Sequence, residues 1–197
     1  MRRSISLLSV LAILALSGCS ENWNADEKSI ICSESDTLHV FTVDNPEEEV
    51  LLRSISEDLS PAMISSAEYG ALASKMIATV TSPSQDGVGI AGPQVGILRR
   101  IVAVQRFDKN GEPFEVYPNI SVTKVYGDPV PGPEGCLSVP ACRGEVNRWQ
   151  DIEISYCSPK TLRDTTERVI GFTAVIFQHE CDHLFGILYT DKLRGRE

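Results

Sequence analysis

Two histidines four residues apart, His179 and His183, most directly suggest chemistry in this sequence, which has only three histidines in 197 residues. On a helix, positions i and i+4 share one face, so both imidazoles can bind the same metal ion. Glu180 follows the first histidine and is placed to take a proton from a water that the ion activates. The pattern predicts a metal-dependent hydrolase; the alternative is a pair of histidines satisfied by ordinary hydrogen bonds.

A catalytic ion of this kind needs a third protein ligand and one open position. Downstream of His183 the sequence offers only Asp191 and Glu197, and no imidazole. Upstream, Cys136 lies in a predicted turn between β segments, from which a thiolate could face the helix. His39 is the competing candidate, but it lies in a predicted strand without a supporting motif. We therefore interpret His39 as structural.

The helix that must carry both histidines is predicted at about residues 171–185. Five residues at offsets 0, 3, 4, 7 and 11 share one of its faces. They are Phe172, Val175, Ile176, His179 and His183. Gly186 follows the predicted end, where a glycine commonly terminates a helix. This one face therefore combines the metal ligands with apolar side chains.

Most of the other elements are predicted to be strands, at residues 38–43, 100–105, 115–117, 121–125, 143–146 and 151–156. A second helix is expected at 65–79, with Leu72, Met76 and Val80 on one stripe. Strands combined with one long buried helix predict an α+β fold. We expect antiparallel sheets packed around the central metal-binding helix.

Three motifs, in order along the chain, resemble the signature motifs of the peptide deformylase family. They are Gly87-Val88-Gly89-Ile90-Ala91-Gly92-Pro93-Gln94, Glu134-Gly135-Cys136-Leu137-Ser138 and Gln178-His179-Glu180-Cys181-Asp182-His183-Leu184. The resemblance covers about residues 38–193, and Gly92 departs from it by replacing an alanine of the family. It implies a deformylase-like fold and hydrolysis of the N-formyl group of N-formylmethionyl peptides, with release of formate.

The resemblance also implies roles for individual residues. One divalent metal ion, Fe²⁺ or Zn²⁺, would have three ligands: Cys136, His179 and His183. Glu180 would carry the proton to the departing amine. The Gln94 side-chain amide and the backbone N–H of Leu137 would stabilise the negative charge that develops on the formyl oxygen.

The formyl group is small, so a selective site must also recognise the peptide beyond it. Gly89 is expected to offer its backbone to the peptide. Arg143 occupies a position where the family has an arginine near the substrate, and a solvated strand charge is the alternative. An apolar pocket beside the ion is expected, with four lining residues whose alternative role is core packing: Val88, Phe172, Val175 and Ile176.

The amino terminus resembles an export signal. Arg2 and Arg3 precede an apolar stretch at 7–16, and Leu16-Ser17-Gly18-Cys19 resembles the lipobox of bacterial lipoproteins. We expect a signal peptide at 1–18, acylation of Cys19, a polar tether of little order at 19–37 and a catalytic domain at 38–197. This predicts a protein of the bacterial cell envelope, attached to the lipid membrane and facing out of the cytoplasm; a buried amino-terminal segment is the alternative.

Charge excludes one class of partner. The chain has 27 acidic residues against 18 Lys plus Arg, a formal balance of −9, which would repel a phosphate backbone. We expect no nucleic-acid partner. Two functions remain open beside the deformylase: a zincin-type metalloprotease and a non-catalytic metal-binding envelope lipoprotein.

The cysteines allow one further prediction. Cys142 and Cys157 flank a predicted hairpin around residues 148–150, and they could pair as a disulfide, although spacing alone does not establish the connectivity. Cys32 and Cys181 are predicted to be unpaired, with Cys181 pointing away from the ligand face.

Overall fold

The computed structural model describes residues 22–195. The predicted signal peptide at 1–18 and Cys19 therefore lie outside the described residues. Within residues 22–195, eight strands form three antiparallel sheets around one buried helix. The α+β prediction is confirmed.

The helices are α1 (Ala25–Ile31), α2 (Pro46–Leu52), α3 (Pro61–Ile64), α4 (Ala67–Val80) and α5 (Phe172–His183). The strands are β1 (Gly89–Ala91), β2 (Ile101–Gln105), β3 (Phe114–Pro118), β4 (Ser121–Val125), β5 (Val130–Cys136), β6 (Val139–Arg148), β7 (Asp151–Cys157) and β8 (Asp164–Ile170). Two short 3₁₀ turns lie at Gly92–Val95 and Tyr189–Lys192. The sheet orders are β1-β2-β3, β4-β7-β8 and β5-β6.

Strand β2 is buried on both faces and joins the two halves of the core. Ile101 and Ala103 face a cluster that includes residues of α1 and α4. Val102 and Val104, which alternate with them, face a second cluster that includes α5. This continuous apolar run is typical of a strand covered on both sides.

Helix α5 is held between the first two sheets. Ala174, Phe177 and Leu184 are completely buried against residues of β2, β7 and β8. Cys181 belongs to the same cluster, so it packs into the core and not toward the ligand cluster. Gly186, just beyond the helix, has a φ of +70°, and a side chain there would collide with the Arg53 carbonyl. The helix therefore occupies a fixed position in the core.

The expected strand at 38–43 is wrong. This segment joins no sheet, because its N–H groups donate to a 3₁₀ turn, to the β5–β6 turn and to side chains of α2 and α4. Phe41 N–H donates to the Gln94 carbonyl at 2.8 Å, and Val43 N–H donates to that of Ser138 at 2.9 Å. The other predicted strands and both predicted helices are present within a few residues of the expected bounds.

The suggested Cys142–Cys157 disulfide is also wrong. Both thiols are free, as are those of Cys32 and Cys181. Cys142 lies in β6 and Cys157 in β7, but β6 pairs with β5 while β7 pairs with β4 and β8. The hairpin expected around 148–150 does not form, so nothing brings these two cysteines together.

The expected disorder of the segment up to residue 37 is wrong for the part that the structure describes. Asn24 caps α1 in a capping box with Glu27, and the Trp23 indole donates to Ser66 Oγ at 3.0 Å. Glu27, only 5% exposed, accepts from Arg99 at 2.6 Å, and Arg99 is 3% exposed. Buried side chains thus fix this segment to the domain. Among residues 22–195, no helix is both long and apolar enough to cross a membrane.

Replacing Glu27 should show that α1 is part of the fold. Glu27→Ala removes the buried carboxylate partner of the buried Arg99 and keeps its ion pair with the exposed Glu57. We expect a loss of roughly 3 kcal/mol in the free energy of unfolding, the lower end for breaking a buried ion pair. Urea denaturation measures it. The control, Asp26→Ala on the exposed side of the same helix, should cost at most about 1 kcal/mol. Equal losses in the two variants would contradict a docked helix.

Candidate active site

Three side chains from two elements converge at one end of α5. Cys136 ends β5, while His179 and His183 lie one turn apart on α5. One ligand atom from each lies within 4.8 Å of the other two. Cys136 Sγ and His183 Nε2 are 3.3 Å apart, close to the roughly 3.5 Å that two such ligands have in a tetrahedral zinc site. Cysteine and two histidines fit a borderline-soft divalent ion.

The sulfur of Cys136 is surrounded by N–H donors. The two-residue turn between β5 and β6 brings Ser138 N–H to 3.4 Å from the sulfur, and Gln94 Nε2 lies 3.5 Å away. These two N–H donors hold the sulfur in one position beside the histidines. The turn and the Gln94 loop therefore prepare the cysteine for coordination.

A buried ion-pair network orients His179. Its Nδ1–H donates to Glu134 Oε2 at 2.8 Å. Arg148 donates to both Glu134 oxygens, at 2.7 and 3.1 Å, and to Asp182 at 2.6 Å. Because Nδ1 is engaged, Nε2 of His179 is left to face the cluster. Such carboxylate–histidine contacts fix the ring and increase its basicity as a ligand.

The charge states in this cluster suit a cation. Burial alone would raise the pKa of Glu134, but the contacts with His179 and Arg148 outweigh it and hold that pKa at about 2. Burial opposes protonation of His179, yet the nearby Cys136 and Glu134 raise its pKa to about 10. Burial, reinforced by the positive charges of His179 and Arg148, lowers the pKa of His183 far below its usual value. The negative groups that hold a proton on His179 would also hold a cation, and a metal ion would displace that proton. His183 is neutral, as a metal ligand must be.

Glu180 lies between the cluster and the cavity described below. It is 4% exposed, and its Oε2 atom is buried without a hydrogen-bond partner. Burial raises the pKa of Glu180 to about 7. A side chain at Gly89 would come within 2.5 Å of Glu180 Oε1, so the absence of one there leaves room for this carboxylate. A proton-transfer group with a pKa near neutrality matches general acid–base chemistry.

Gln94 is completely buried and held in one orientation. Its Oε1 accepts from the Ala91 N–H at 2.8 Å, which leaves Nε2 to donate to Ser138 Oγ at 3.1 Å and toward Cys136. Both Gln94 and Leu137 line the same cavity as Cys136, His179 and Glu180. The structure thus brings together the residues predicted for metal binding, proton transfer and charge stabilisation.

A cavity of about 730 Å³ opens beside the cluster, and all six predicted substrate-binding residues line it: Val88, Gly89, Arg143, Phe172, Val175 and Ile176. Ile176 is nearly inaccessible at the inner end. Phe172 is 54% exposed and packs on Phe107, with 5.4 Å between the ring centres. Arg143 is exposed and lies on the β5–β6 side. His39 is elsewhere, bonded to Glu48 at 2.8 Å, as its structural interpretation predicts.

Comparisons with known proteins identify the fold and the family. The family model described as "Polypeptide deformylase" matches residues 37–197. A peptide deformylase of Leptospira biflexa is 37% identical over 165 residues, covering 79% of this chain and 87% of the relative. The chain belongs to the peptide deformylase family.

Solved structures of peptide deformylases support the same family assignment. The Met-Ala-Ser complex of the class I type b peptide deformylase from Acinetobacter baumannii has a TM-score of 0.70 and 31% identity, covering 80% of this chain and 98% of that one. The peptide deformylase from Thermotoga maritima has a TM-score of 0.68 and 27% identity, covering 80% and 97%. As a member of this family, the protein is a metal-dependent hydrolase that removes N-formyl groups, and neither the protease nor the non-catalytic alternative is favoured.

Sequence reasoning missed the network that supports His179 in this deformylase. Glu134 belongs to the second motif, where the sequence indicates no role for it, and the sequence places Arg148 only at the predicted hairpin. The sequence contains one signal that places Glu134 near the proposed metal site. Glu134 and Cys136 are two residues apart on a strand, so their side chains share a face. The partnership of Arg148 with Asp182 follows from tertiary packing and leaves no such mark.

Neutralising Glu134 should weaken metal binding by this deformylase. In Glu134→Gln the partner of His179 loses its charge, so we expect an affinity for Zn²⁺ about 10- to 100-fold lower. Competition with a chromogenic chelator measures the change. Glu145→Gln, at an exposed position of β6, is the matched control and should bind like the wild type. An unchanged affinity in Glu134→Gln would mean that the network does not support the ligand.

Proposed function

We propose that this deformylase uses Cys136, His179 and His183 to hold one Fe²⁺ or Zn²⁺ ion and acts on N-formylmethionyl peptides. The observation that carries the proposal is the convergence of three ligand atoms within 4.8 Å beside an unpartnered, buried carboxylate. A structural metal site needs four protein ligands and no base. A set of three ligands with Glu180 next to it suits turnover instead.

When bound, the ion supplies the Lewis acidity that makes water a nucleophile at neutral pH. Glu180 takes the proton from the attacking water and passes it to the amine that leaves, and the formyl group departs as formate. The pKa of about 7 lets Glu180 perform both transfers. The hydrophobic side chain of Ile176 lies against the same region and limits access of bulk water.

Gln94 and Leu137 stabilise the charge that develops on the formyl oxygen. The Gln94 amide is locked by Ala91, so Nε2 needs no reorientation during the reaction. Leu137 follows Cys136 directly, in the turn that lines the cavity, and its backbone N–H is the second donor. Preorganised donors of this kind contribute about 3 kcal/mol each.

The peptide is recognised by a strand edge and an apolar pocket. Strand β1 pairs only with β2 among the described strands, so the other edge of Gly89 is available to a peptide backbone. Val88, Val175 and Ile176 offer a surface for the methionine side chain, with Phe172 at the cavity mouth. Arg143 contacts the peptide beyond the methionine. The Met-Ala-Ser complex of the similar Acinetobacter enzyme supports this substrate class.

Glu180→Gln tests the mechanism. The amide cannot carry the proton, so we expect the rate of formate release from formyl-Met-Ala-Ser to fall by at least about 100-fold. Metal content, measured on the same sample, should stay at the wild-type level because Glu180 is not a ligand. Glu47→Gln, at an exposed position of α2, should retain full activity. If Glu180→Gln remains active, another group moves the proton.

We further propose that the enzyme acts in the bacterial cell envelope, anchored to the lipid membrane through acylated Cys19 and facing out of the cytoplasm. The lipobox-like sequence at 16–19 is the basis of this assignment. Because Trp23 and α1 pack on the domain, an anchor at Cys19 would hold the domain close to the membrane. Four residue steps separate Cys19 from Trp23, which is at most about 14 Å of extended chain.

Replacing Cys19 tests the anchor. Wild-type protein, labelled in cells with a fatty-acid analogue, should carry the label and sediment with membranes, because more than one acyl chain gives lasting attachment. Cys19→Ala should lose the label and the membrane association. Cys32→Ala, at an exposed thiol, is the control and should keep both. Unlabelled wild-type protein in the cytosolic fraction would contradict the anchor without affecting the enzymatic assignment.

A further inference from the structure

A second free thiol, that of Cys142, lines the same cavity and packs on the same small apolar cluster as the Cys136 ligand. Cys136 ends β5 and Cys142 lies in β6, the other strand of the same hairpin. Both residues line the substrate cavity, and both are half-buried free thiols. The mechanism above gives Cys142 no role.

The hairpin register turns both side chains to one side. After the pair Glu134–Gly144, the ladder resumes at Cys136–Val139, so β6 bulges opposite a single residue of β5. Residues two apart on a strand share a face, and so do directly paired residues. Cys136 therefore shares the face of Glu134, and Cys142 shares the face of Gly144, which is the same side of the hairpin.

The packing of the two cysteines agrees with this register. Both lie against a small apolar cluster that contains Leu188 and Tyr189. Burial raises the pKa of the Tyr189 hydroxyl, and the sulfurs of Cys142 and Cys136 act in the same direction because both lie near it. Both thiols thus pack on the cluster that contains Tyr189, in the wall of the metal cavity.

We propose that Cys136 and Cys142 form a reversible disulfide that excludes the metal ion. The proposal rests on the assignment of Cys136 as a ligand under the proposed function. While the ion is bound, the Cys136 sulfur is occupied and the pair stays reduced. Once the ion is lost, both sulfurs are free to react.

The chemistry is thiol–disulfide exchange with a small disulfide such as oxidised glutathione. The Cys142 thiolate attacks one sulfur of the oxidant, which forms a mixed disulfide and expels one glutathione thiolate. The Cys136 thiolate then attacks the Cys142 sulfur, forming the Cys136–Cys142 bond and expelling the second glutathione thiolate. Two electrons pass from the cysteine pair to the oxidant, and the two thiol protons end on the released thiols. A reductant reverses both steps.

This pair gives the enzyme a state that withstands an oxidising compartment. A free metal-ligand thiolate there would be open to irreversible oxidation to sulfinic or sulfonic acid. In a disulfide, the Cys136 sulfur is protected from this oxidation, and a dithiol reductant returns it to the free thiol. The reduced protein can then take up metal again.

The experiment uses the full-length chain with Cys32→Ser, which removes the exposed thiol. Metal is removed with a chelator, and oxidised glutathione is then added. Intact mass should fall by two hydrogen atoms. Chymotryptic mapping without reduction, with cleavage after Leu137 between the two cysteines, should yield a peptide pair joined by Cys136 and Cys142. The oxidised sample should fail to develop the cobalt–thiolate absorption band, and dithiothreitol should restore it.

Matched variants separate this disulfide from general thiol reactivity. Zinc-loaded protein should resist cross-linking, and Cys142→Ser and Cys142→Ala should both lack the cross-link while retaining the wild-type circular dichroism spectrum. Cys157→Ser, in a different core cluster, should still form it. Two unmodified thiols, glutathione on both cysteines, or a link to another cysteine would overturn the proposal. The mass readout needs no enzymatic activity, so an inactive protein that still forms the link would count against the proposed function alone.

Discussion

The whole site depends on keeping a cysteine from a β-hairpin next to two histidines from a buried helix. The ligands come from parts of the chain more than forty residues apart, so their convergence is a tertiary constraint. The network from His179 through Glu134 and Arg148 to Asp182 meets this constraint, because it links β5, β6 and α5 with charged hydrogen bonds away from water. Removing Glu134, the central member, would leave His179 without its carboxylate partner and Arg148 paired with Asp182.

The carboxylate of Glu180, the proposed proton-transfer group, is buried without a hydrogen-bond partner for one oxygen, and the surrounding fold supports this burial. Glu180 belongs to a helix that is held by apolar contacts on both sides, so its burial is supported by the fold. The absence of a side chain at Gly89 and the fixed Gln94 amide leave space and donors on the cavity side. An unpartnered buried oxygen is expensive in a protein interior, and such positions concentrate where chemistry requires them.

The sequence allowed the helix of the two histidines and most strands to be predicted, and the three residues proposed as ligands are the ones that the structure brings together. The spacing of His179 and His183 is a helical signal, and the three motifs carry the residues around the ion. The spacing of residues along the sequence could not reveal contacts between side chains that are far apart in the chain. The pairing of Arg148 with Glu134 is one case, and the docking of α1 through Arg99 is another, since a short polar helix resembles a tether until its buried face has a partner. Strand β5 contains two prolines, which a two-stranded edge tolerates but which argue against a strand in sequence.

The two kinds of ligand are not equally well supported by the fold. The histidines lie on a helix enclosed by two sheets, next to β2, which is covered on both faces; such elements open only when the whole domain unfolds. The cysteine lies at the turn of a two-stranded hairpin whose pairing is interrupted by a bulge. A local fluctuation of that hairpin needs far less free energy than global unfolding. The ion would therefore be released when the hairpin that carries Cys136 opens, while both histidines stay in place. The site would form again once the hairpin closes.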